Sequence, residues 1–293
     1  MDTRSLSLFL HLSQTLHFGR TSEACHISPS ALSRHVQQME TLLGVKLLER
    51  NNRSVQLTYE GRRLQQYARE TLQQWETFRH SLMASSGELH GAISVYCSVT
   101  ASYSFLYEIL SEFRQKHPKI EIKLHTGDPA PAIPRVLAGQ EDITIAARPD
   151  KLPAQLAFNT IANSPLVFIS ARPATMEAGL RENIEQQQWD MIPMILSETG
   201  LIRDRIDEWF RQHQIIPTIY AQVAGHEAIV SMVSLGFGVG VIPKIVLDDS
   251  PLADRVEILS HHPHLKDYEI GLCTQKKSLQ NPLIEAFWTS CQR

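Results

Sequence analysis

The sequence contains few cysteines and no long hydrophobic segment. A charge-free apolar stretch at residues 228–243 is shorter than the roughly 20 residues that a membrane-spanning helix needs, and it contains three glycines. An acid at position 2 and polar residues among the first leucines argue against a signal peptide, so we expect a cytoplasmic protein. The cysteines have no paired spacing, which argues against disulfides and a zinc motif and fits a reducing compartment. They are Cys25, Cys97, Cys273 and Cys291.

Recognisable catalytic and cofactor motifs are also missing from the sequence. The glycines of "GFGVG" at 236–240 follow a predicted helix and lead into a strand, the reverse of the order in a phosphate-binding loop. "HEAIV" has Val230 where a zinc protease has its second histidine, and "HHPH" at 261–264 is typical of a solvated turn. We therefore expect no cofactor, no metal and no enzymatic activity.

Length and charge distribution indicate more than one domain. The 293 residues are 43% hydrophobic and 20% charged, a composition typical of globular proteins with two or three compact units. Residues 1–65 contain eight Lys/Arg and five Asp/Glu, whereas the rest of the chain has a net charge of −6. A basic head on an acidic body is compatible with a small DNA-binding module attached to a larger domain.

The first 57 residues are predicted to form three helices and a hairpin. A first helix is expected to end near His17, and a short second helix covers "RTSEACH". The third helix has apolar residues at helical spacing, from an N-cap at Ser28 to a terminating Gly44. Two short apolar runs then flank Asn51 and Asn52, a pattern that predicts a hairpin turn.

The third helix has a polar face opposite its apolar stripe. Arginine can form bidentate hydrogen bonds to guanine and glutamine to adenine, while hydroxyls reach bases or phosphates. Arginines of the hairpin can lie along phosphates. With the short helix before it, this pattern predicts a winged helix-turn-helix that binds double-stranded DNA. The predicted contact residues are Ser28, Ser30, Ser33, Arg34, Gln37, Arg50 and Arg53.

A single long helical pattern follows, from Thr58 to about residue 85. Its apolar residues step by three or four positions and form one stripe. Such a helix either packs against a second copy of itself or lies on its own domain, and the sequence leaves both possibilities open. The small, polar segment "ASSGELHG" that follows is predicted to be a hinge.

From Gly91 onward, short apolar runs alternate with helical stretches. This alternation predicts an α/β domain with a mostly parallel sheet wrapped by helices, and its length leaves room for two subdomains. We place the winged helix-turn-helix at 1–58 and the linker helix with its hinge at 59–90. The third domain then covers 91–293, with subdomains at 91–163 plus 268–293 and at 164–267.

Polar residues follow several of the predicted strands, where open α/β sheets bind their ligands. Hydroxyls and free N–H groups at a helix start, together with an arginine, suit a small carboxylate, although Ser or Thr at such a position also acts simply as a cap. The residues predicted to bind a small anion are Ser98, Thr100, Ala101, Ser102, Asp128, Arg148, Thr199, Gly200 and His226.

The segments "SALSRHVQQMETLLGVKLLER" and "LTYEG" resemble the DNA-binding head of LysR-type transcriptional regulators, and the resemblance extends along the whole chain. It implies a winged head, a dimerising linker helix and a periplasmic-binding-protein-like effector domain. It also implies homodimers or homotetramers that act on promoters with RNA polymerase. One departure is Pro29-Ser30, where most family heads have Gln-Pro, so that glutamine's DNA contact is not carried over.

The C-terminal segments "YCSVTASYS", "GHEAIVSMVSLGFGVGVIP" and "QKKSLQNPLIEAFW" resemble one branch of that family, activators of the acetohydroxy acid isomeroreductase gene in isoleucine–valine synthesis. This resemblance implies acetolactate or acetohydroxybutyrate as inducer, with its carboxylate expected at residues 100–102. A LysR-type regulator that responds to another small carboxylic acid is the alternative. A solute-binding protein or an enzyme fits less well, because the chain has a winged head and no cofactor motif.

Overall fold

The computed structural model describes residues 1–50, 54–84 and 89–291. The chain divides into two compact units, Met1–Gly87 and Glu88–Arg293. The residues predicted at the hairpin tip, Asn51, Asn52 and Arg53, lie outside the described residues, as does most of the predicted hinge. Among the described helices, we find none with the length and apolar character to cross a membrane.

The N-terminal unit contains three short helices, a two-stranded hairpin and one long helix. Its elements are α1 (Thr3–Thr15), α2 (Phe18–Ala24), α3 (Pro29–Leu43), β1 (Leu48–Arg50), β2 (Val55–Leu57) and α4 (Tyr59–Ala84). The first helix ends slightly before the predicted His17, because Leu16 takes a left-handed conformation with φ of 48°. His17 instead caps α2, its Nδ1 accepting from the Arg20 N–H at 3.1 Å.

The ends of α3 follow from its sequence. The Ser28 hydroxyl accepts from the Ala31 N–H at 3.2 Å, and Pro29 occupies the first turn, where its missing N–H costs no hydrogen bond. Gly44 ends the helix at φ of 69°, a conformation that glycine adopts without strain. Leu32, Val36 and Met39 pack into the core of the unit, so the opposite face of α3 is left in solvent.

The C-terminal unit is built around two five-stranded sheets. Its strands are β3 (Gly91–Ser98), β4 (Ile120–Gly127), β5 (Ile143–Ala147), β6 (Leu156–Ser164), β7 (Leu166–Ala171), β8 (Pro193–Ser197), β9 (Thr218–Val223), β10 (Val239–Pro243), β11 (Val256–Ile258) and β12 (Tyr268–Gln275). Its helices are α5 (Val99–Ala101), α6 (Tyr107–Lys116), α7 (Ala132–Leu137), α8 (Ala178–Glu185), α9 (Leu201–Gln212), α10 (His226–Ser234), α11 (Lys244–Asp248) and α12 (Pro282–Ser290). A π-helical turn at Ser102–Leu106 joins α5 to α6.

The two sheets have the same plan. The first has the order β4-β3-β5-β12-β6 and the second β11-β7-β10-β8-β9. In each sheet three neighbouring strands are parallel, and the fourth, β12 or β7, is antiparallel to both of its neighbours. The prediction of a mostly parallel sheet was therefore too simple, because the chain crosses between the sheets after β6 and again before β12.

These crossovers place β3–β6 and β12 in one sheet and β7–β11 in the other. Buried residues of both sheets, including Val95, Ile145, Phe168 and Met194, belong to one apolar cluster. On the second sheet, α10 packs through Ile229, Val230 and Val233. The carboxyl ends of β3 and β8 lead into α5 and α9, so the loops that follow the parallel strands border the space between the sheets.

Candidate DNA-contacting face and effector cleft

The solvent face of α3 presents the side chains that were predicted to contact DNA. Ser28, Ser30, Arg34 and Gln37 are exposed and Ser33 is half-buried. The hydroxyls of Ser28 and Ser30 lie 3.0 Å apart. Within the described residues, neither the Arg34 guanidinium nor the Gln37 amide is bound to another side chain, so both are available to a ligand.

Arg50 joins the hairpin to this face. Its guanidinium donates to the Ser33 hydroxyl at 3.3 Å and lies 4.7 Å from the centre of the Phe18 ring. The ring and the hydroxyl therefore hold the guanidinium beside the polar face of α3. The remaining predicted contact, Arg53, is outside the described residues.

A buried carboxylate that was not among the predicted site residues fixes the start of the hairpin. Glu40, on the inner side of α3, accepts from the Leu47 N–H at 2.9 Å and from the Lys46 ammonium at 3.2 Å. Burial opposes ionisation of Glu40, but these hydrogen bonds outweigh it and keep the pKa of the carboxyl below its ordinary value. The hairpin is thereby tied to the helix whose outer face is exposed.

In the C-terminal unit, two adjoining cavities lie among the loops that follow the parallel strands. The larger has a volume of about 250 Å³ and the smaller about 30 Å³. Asp128, Thr199 and Gly200 line the larger, Ser98, Thr100 and Ala101 line the smaller, and His226 borders both. The structure thus brings seven of the predicted anion-binding residues together.

Two of the predicted residues line neither cavity. The Ser102 hydroxyl donates to the Val99 carbonyl oxygen at 2.6 Å, within its own helical turn. Arg148 donates to the Glu269 carboxylate at 3.1 Å, and its guanidinium lies 5.5 Å from the centre of the Phe158 ring. Both side chains are therefore satisfied by neighbours outside the cavities.

The structure also shows how the hydroxyls near α5 are used. The Ser98 hydroxyl accepts from the Ala101 N–H at 3.1 Å, as an N-cap does. Thr100 donates its N–H, at 2.9 Å, and its hydroxyl to the carboxylate of Glu227 on α10. Burial opposes ionisation of Glu227, but the Thr100 donors keep the pKa of that carboxyl lowered, so the group is a carboxylate at neutral pH.

Three polar side chains, His226 among them, border the cavities deep in the unit. His226 and Tyr268 have ring centres 6.0 Å apart in an edge-to-face arrangement. Burial lowers the pKa of His226 to about 4 and raises the pKa of the Tyr268 hydroxyl, so both are neutral at physiological pH. Ser197 lines the larger cavity, is buried, and has a hydroxyl without a hydrogen-bond partner in the described part of the chain.

The charges around the larger cavity restrict how an anion could bind there. Its described lining includes Asp128 and Asp204 but neither lysine nor arginine. The helices α9 and α10 both begin there, after Gly200 and Gly225, and neither has a side-chain N-cap. Their first N–H groups can bind an anion without a cation. No group of His, Cys, Asp and Glu among the described residues has the geometry of a metal site.

Comparisons with known proteins agree with both units. Residues 3–62 match the family described as "Bacterial regulatory helix-turn-helix protein, lysR family", and residues 86–293 match the "LysR substrate binding domain". The chain is 45% identical over 98% of both lengths to the HTH-type transcriptional activator IlvY of Salmonella typhimurium. It is equally similar to the regulator IlvY of Escherichia coli K12, and 43% identical to that of Haemophilus influenzae over 98% of this chain and 99% of the relative.

Solved structures share the fold at lower sequence identity. A full-length OxyR mutant from Pseudomonas aeruginosa aligns over 100% of this chain and 95% of its own, with a TM-score of 0.71 and 21% identity. CbnR, a LysR family transcriptional regulator, aligns over 100% and 99% with a TM-score of 0.65 and 20% identity. These matches confirm the predicted arrangement of a winged head, a linker helix and an effector domain of two α/β halves. The chain belongs to the LysR family of DNA-binding transcriptional regulators, which are not enzymes.

Proposed function

We propose that this regulator activates the gene for acetohydroxy acid isomeroreductase in isoleucine–valine synthesis. The observation that carries the proposal is the 45% identity to the activator IlvY, which extends over 98% of both chains. The aligned region includes the effector domain as well as the head. A regulator of this kind acts on chromosomal DNA in the cytoplasm and increases the use of its promoter by RNA polymerase.

We propose that α3 lies in the major groove and reads bases with Arg34 and Gln37. Both side chains are exposed on the face opposite the core, and both residue types form bidentate hydrogen bonds to base edges. Ser30 and Ser33 are suited to phosphates or bases, whereas Ser28 acts mainly as the cap of the helix. Arg50, and Arg53 outside the described residues, would contact phosphates of the adjacent backbone.

We propose that α4 pairs with α4 of a second copy. Trp75, Phe78 and Leu82 lie on one stripe of this helix and expose 47%, 54% and 61% of their surface. Three large apolar side chains in solvent at helical spacing are typical of an interface between helices. Residues 59–90 therefore serve as the dimerisation linker between the head at 1–58 and the effector domain at 91–293. Within the effector domain, one subdomain covers 91–163 plus 268–293 and the other covers 164–267.

For the effector we propose acetolactate or acetohydroxybutyrate. Each has one carboxylate, one hydroxyl and one ketone, on a small branched skeleton. The cavities offer neutral polar groups on Ser197, His226 and Tyr268 beside apolar walls such as Ala146 and Ala147. The carboxylate would be held by N–H and hydroxyl donors, among which Thr100 is our first candidate.

The experiment that tests these proposals is a footprint of the purified protein on DNA upstream of the isomeroreductase gene, combined with a reporter of that promoter. We expect a protected site at moderate salt and induction by acetolactate. Pyruvate, lactate and 2-ketoisovalerate serve as a panel of other small acids. Induction by one of these instead of acetolactate would favour a LysR-type regulator with another effector, and the lack of a protected site would reject the promoter assignment.

A further inference from the structure

The donors of Thr100 are already occupied by a carboxylate of the protein itself. Thr100 follows β3 of the first sheet, while Glu227 belongs to α10, which packs on the second sheet. Glu227 accepts from the Thr100 N–H at 2.9 Å and from the Thr100 hydroxyl. The contact therefore links the two halves of the effector domain at the edge of the smaller cavity.

This contact has the chemistry of a bound carboxylic acid. One carboxylate oxygen receives both an N–H and an O–H from the same residue, which is how a protein commonly holds an anion without a cation. The lowered pKa of Glu227, which the Thr100 hydrogen bonds cause against the effect of burial, indicates that the group is charged. Within the described lining of the two cavities there is no lysine or arginine that could neutralise a second carboxylate beside it.

Two carboxylates cannot use these donors at the same time. A second carboxylate beside Glu227 would repel it and would find no free hydrogen on Thr100. A ligand anion that binds to Thr100 must therefore first move Glu227 away. Moving it breaks a link between the two sheets, so the exchange of one carboxylate for another changes how the halves are held together.

We infer that Glu227 is an internal occupant of a carboxylate site at Thr100, and that an effector carboxylate binds there by displacing it. This inference rests on the proposed function in taking the effector to be a small carboxylic acid. Glu227 then sets the effector concentration at which the regulator responds, because every binding event competes with the protein's own side chain. The loss of the contact between Glu227 and Thr100 is then the local structural change that effector binding produces.

Calorimetric titration of the full-length chain with acetolactate tests the competition. Glu227→Gln keeps the size of the side chain and an oxygen acceptor but removes the charge, so we expect acetolactate to bind about tenfold more tightly. Glu182→Gln removes one charge from an exposed site on α8 and should bind like the parent. Unchanged or weaker binding by Glu227→Gln, when the parent does bind, would overturn the inference.

Amide hydrogen exchange tests the site without relying on acetolactate. In Glu227→Ala we expect the Thr100 amide to exchange faster than in the parent, because its acceptor is gone. Adding acetate at high concentration should restore the protection in this variant and leave the parent unchanged, since acetate supplies the missing carboxylate. Equal exchange in both proteins, or no restoration by acetate, would overturn the inference. A different result would reject only the proposed effector. In that case acetate restores the protection of the Thr100 amide in Glu227→Ala, but acetolactate binds to none of the three proteins titrated by calorimetry.

Discussion

Gly61 occupies a position where even one methyl group has no room. A Cβ at this residue would lie 2.1 Å from the Leu47 carbonyl oxygen, because the first turn of α4 passes directly against the chain that enters β1. Gly179, in α8, has no heavy atom within 4 Å of its ideal Cβ position. Both glycines lie in the first turn of a helix, and the space for a Cβ is absent at Gly61 and open at Gly179.

We expect Gly61→Ala to destabilise the N-terminal unit by about 1–3 kcal/mol, since the backbone of α4 or of the β1 entry must move. Gly179→Ala should leave stability unchanged or raise it by roughly 0.5–1 kcal/mol, the usual gain for alanine in a helix. Scanning calorimetry of both variants measures the difference. If Gly61→Ala lowered the transition temperature no more than Gly179→Ala does, the close approach of α4 to Leu47 would be contradicted.

His226 makes the stability of the C-terminal unit depend on pH. Burial lowers its pKa from 6.5 to about 4 in the folded protein, so between these values the unfolded chain binds a proton that the folded chain does not. Stability from this residue is present above pH 6.5 and is lost as the pH falls toward 4. We expect about 2–3 kcal/mol less stability at roughly pH 4.5 than at about pH 7.

Urea unfolding of the parent and of His226→Gln at both pH values checks this dependence. Glutamine cannot be protonated, so the variant should lose less stability than the parent over the same interval. Carboxylates that titrate in both proteins contribute equally and cancel in the comparison. The same loss in both proteins would show that His226 is accessible to protons in the folded state.

Individual site residues were predictable where local sequence determines them. Ser28 and Ser98 precede helices and act as caps, and Arg34 and Gln37 lie opposite an apolar stripe. The place of Tyr268 beside the cavities and the contact of Glu227 with Thr100 were not predicted, because these surroundings come from segments far apart in the chain. Thr100 and Glu227 are 127 positions apart, and no short pattern records that they are in contact.

At the scale of elements, α4 presents a stripe that its own unit does not cover. Leu64 and Ala68 at its start are buried in the N-terminal core, whereas Trp75, Phe78 and Leu82 are exposed. The Trp75 and Phe78 rings have centres 6.2 Å apart and form a continuous apolar surface. A change at the middle of this stripe should affect self-association more than folding.

We expect Phe78→Ser to weaken the dimer by a factor on the order of ten to a hundred, because each copy loses the burial of one large apolar side chain. Gln66→Ser serves as the control. Gln66 is exposed on the same helix and donates a hydrogen bond to Glu70 within that helix. Sedimentation at several protein concentrations measures the association. If both variants associated as tightly as the parent, the dimer interface would lie elsewhere.

Two helices of the N-terminal unit were predicted with nearly their observed ends. The bounds of α3 followed from Ser28, Pro29 and Gly44, and α4 from its regular apolar steps. The strands β6 and β11 were missed, because β6 contains Asn159 and Asn163 among its apolar residues and β11 has only three residues. Both lie at sheet edges, where one side of the strand has no neighbour and the apolar pattern is weak.

At the scale of the whole molecule, the chain has a net charge of −3, yet its head is basic and the remainder acidic. Attraction to phosphates supports binding to any DNA and weakens as salt rises, whereas contacts to bases distinguish one sequence from another. We assign the second role to the exposed face of α3. Loss of that face should therefore reduce selectivity more than general affinity for DNA.

The most direct measurement is the affinity of the full-length chain for its promoter and for unrelated DNA, at several salt concentrations, before and after Arg34→Ala with Gln37→Ala. The double variant Arg181→Ala with Gln186→Ala, at exposed positions of α8 and its C-cap, removes the same two residue types and should bind like the parent. We expect the α3 variant to lose about 2–6 kcal/mol of promoter binding and most of its preference over unrelated DNA. Parental affinity and selectivity in the α3 variant would contradict the assignment of α3 as the helix that reads DNA.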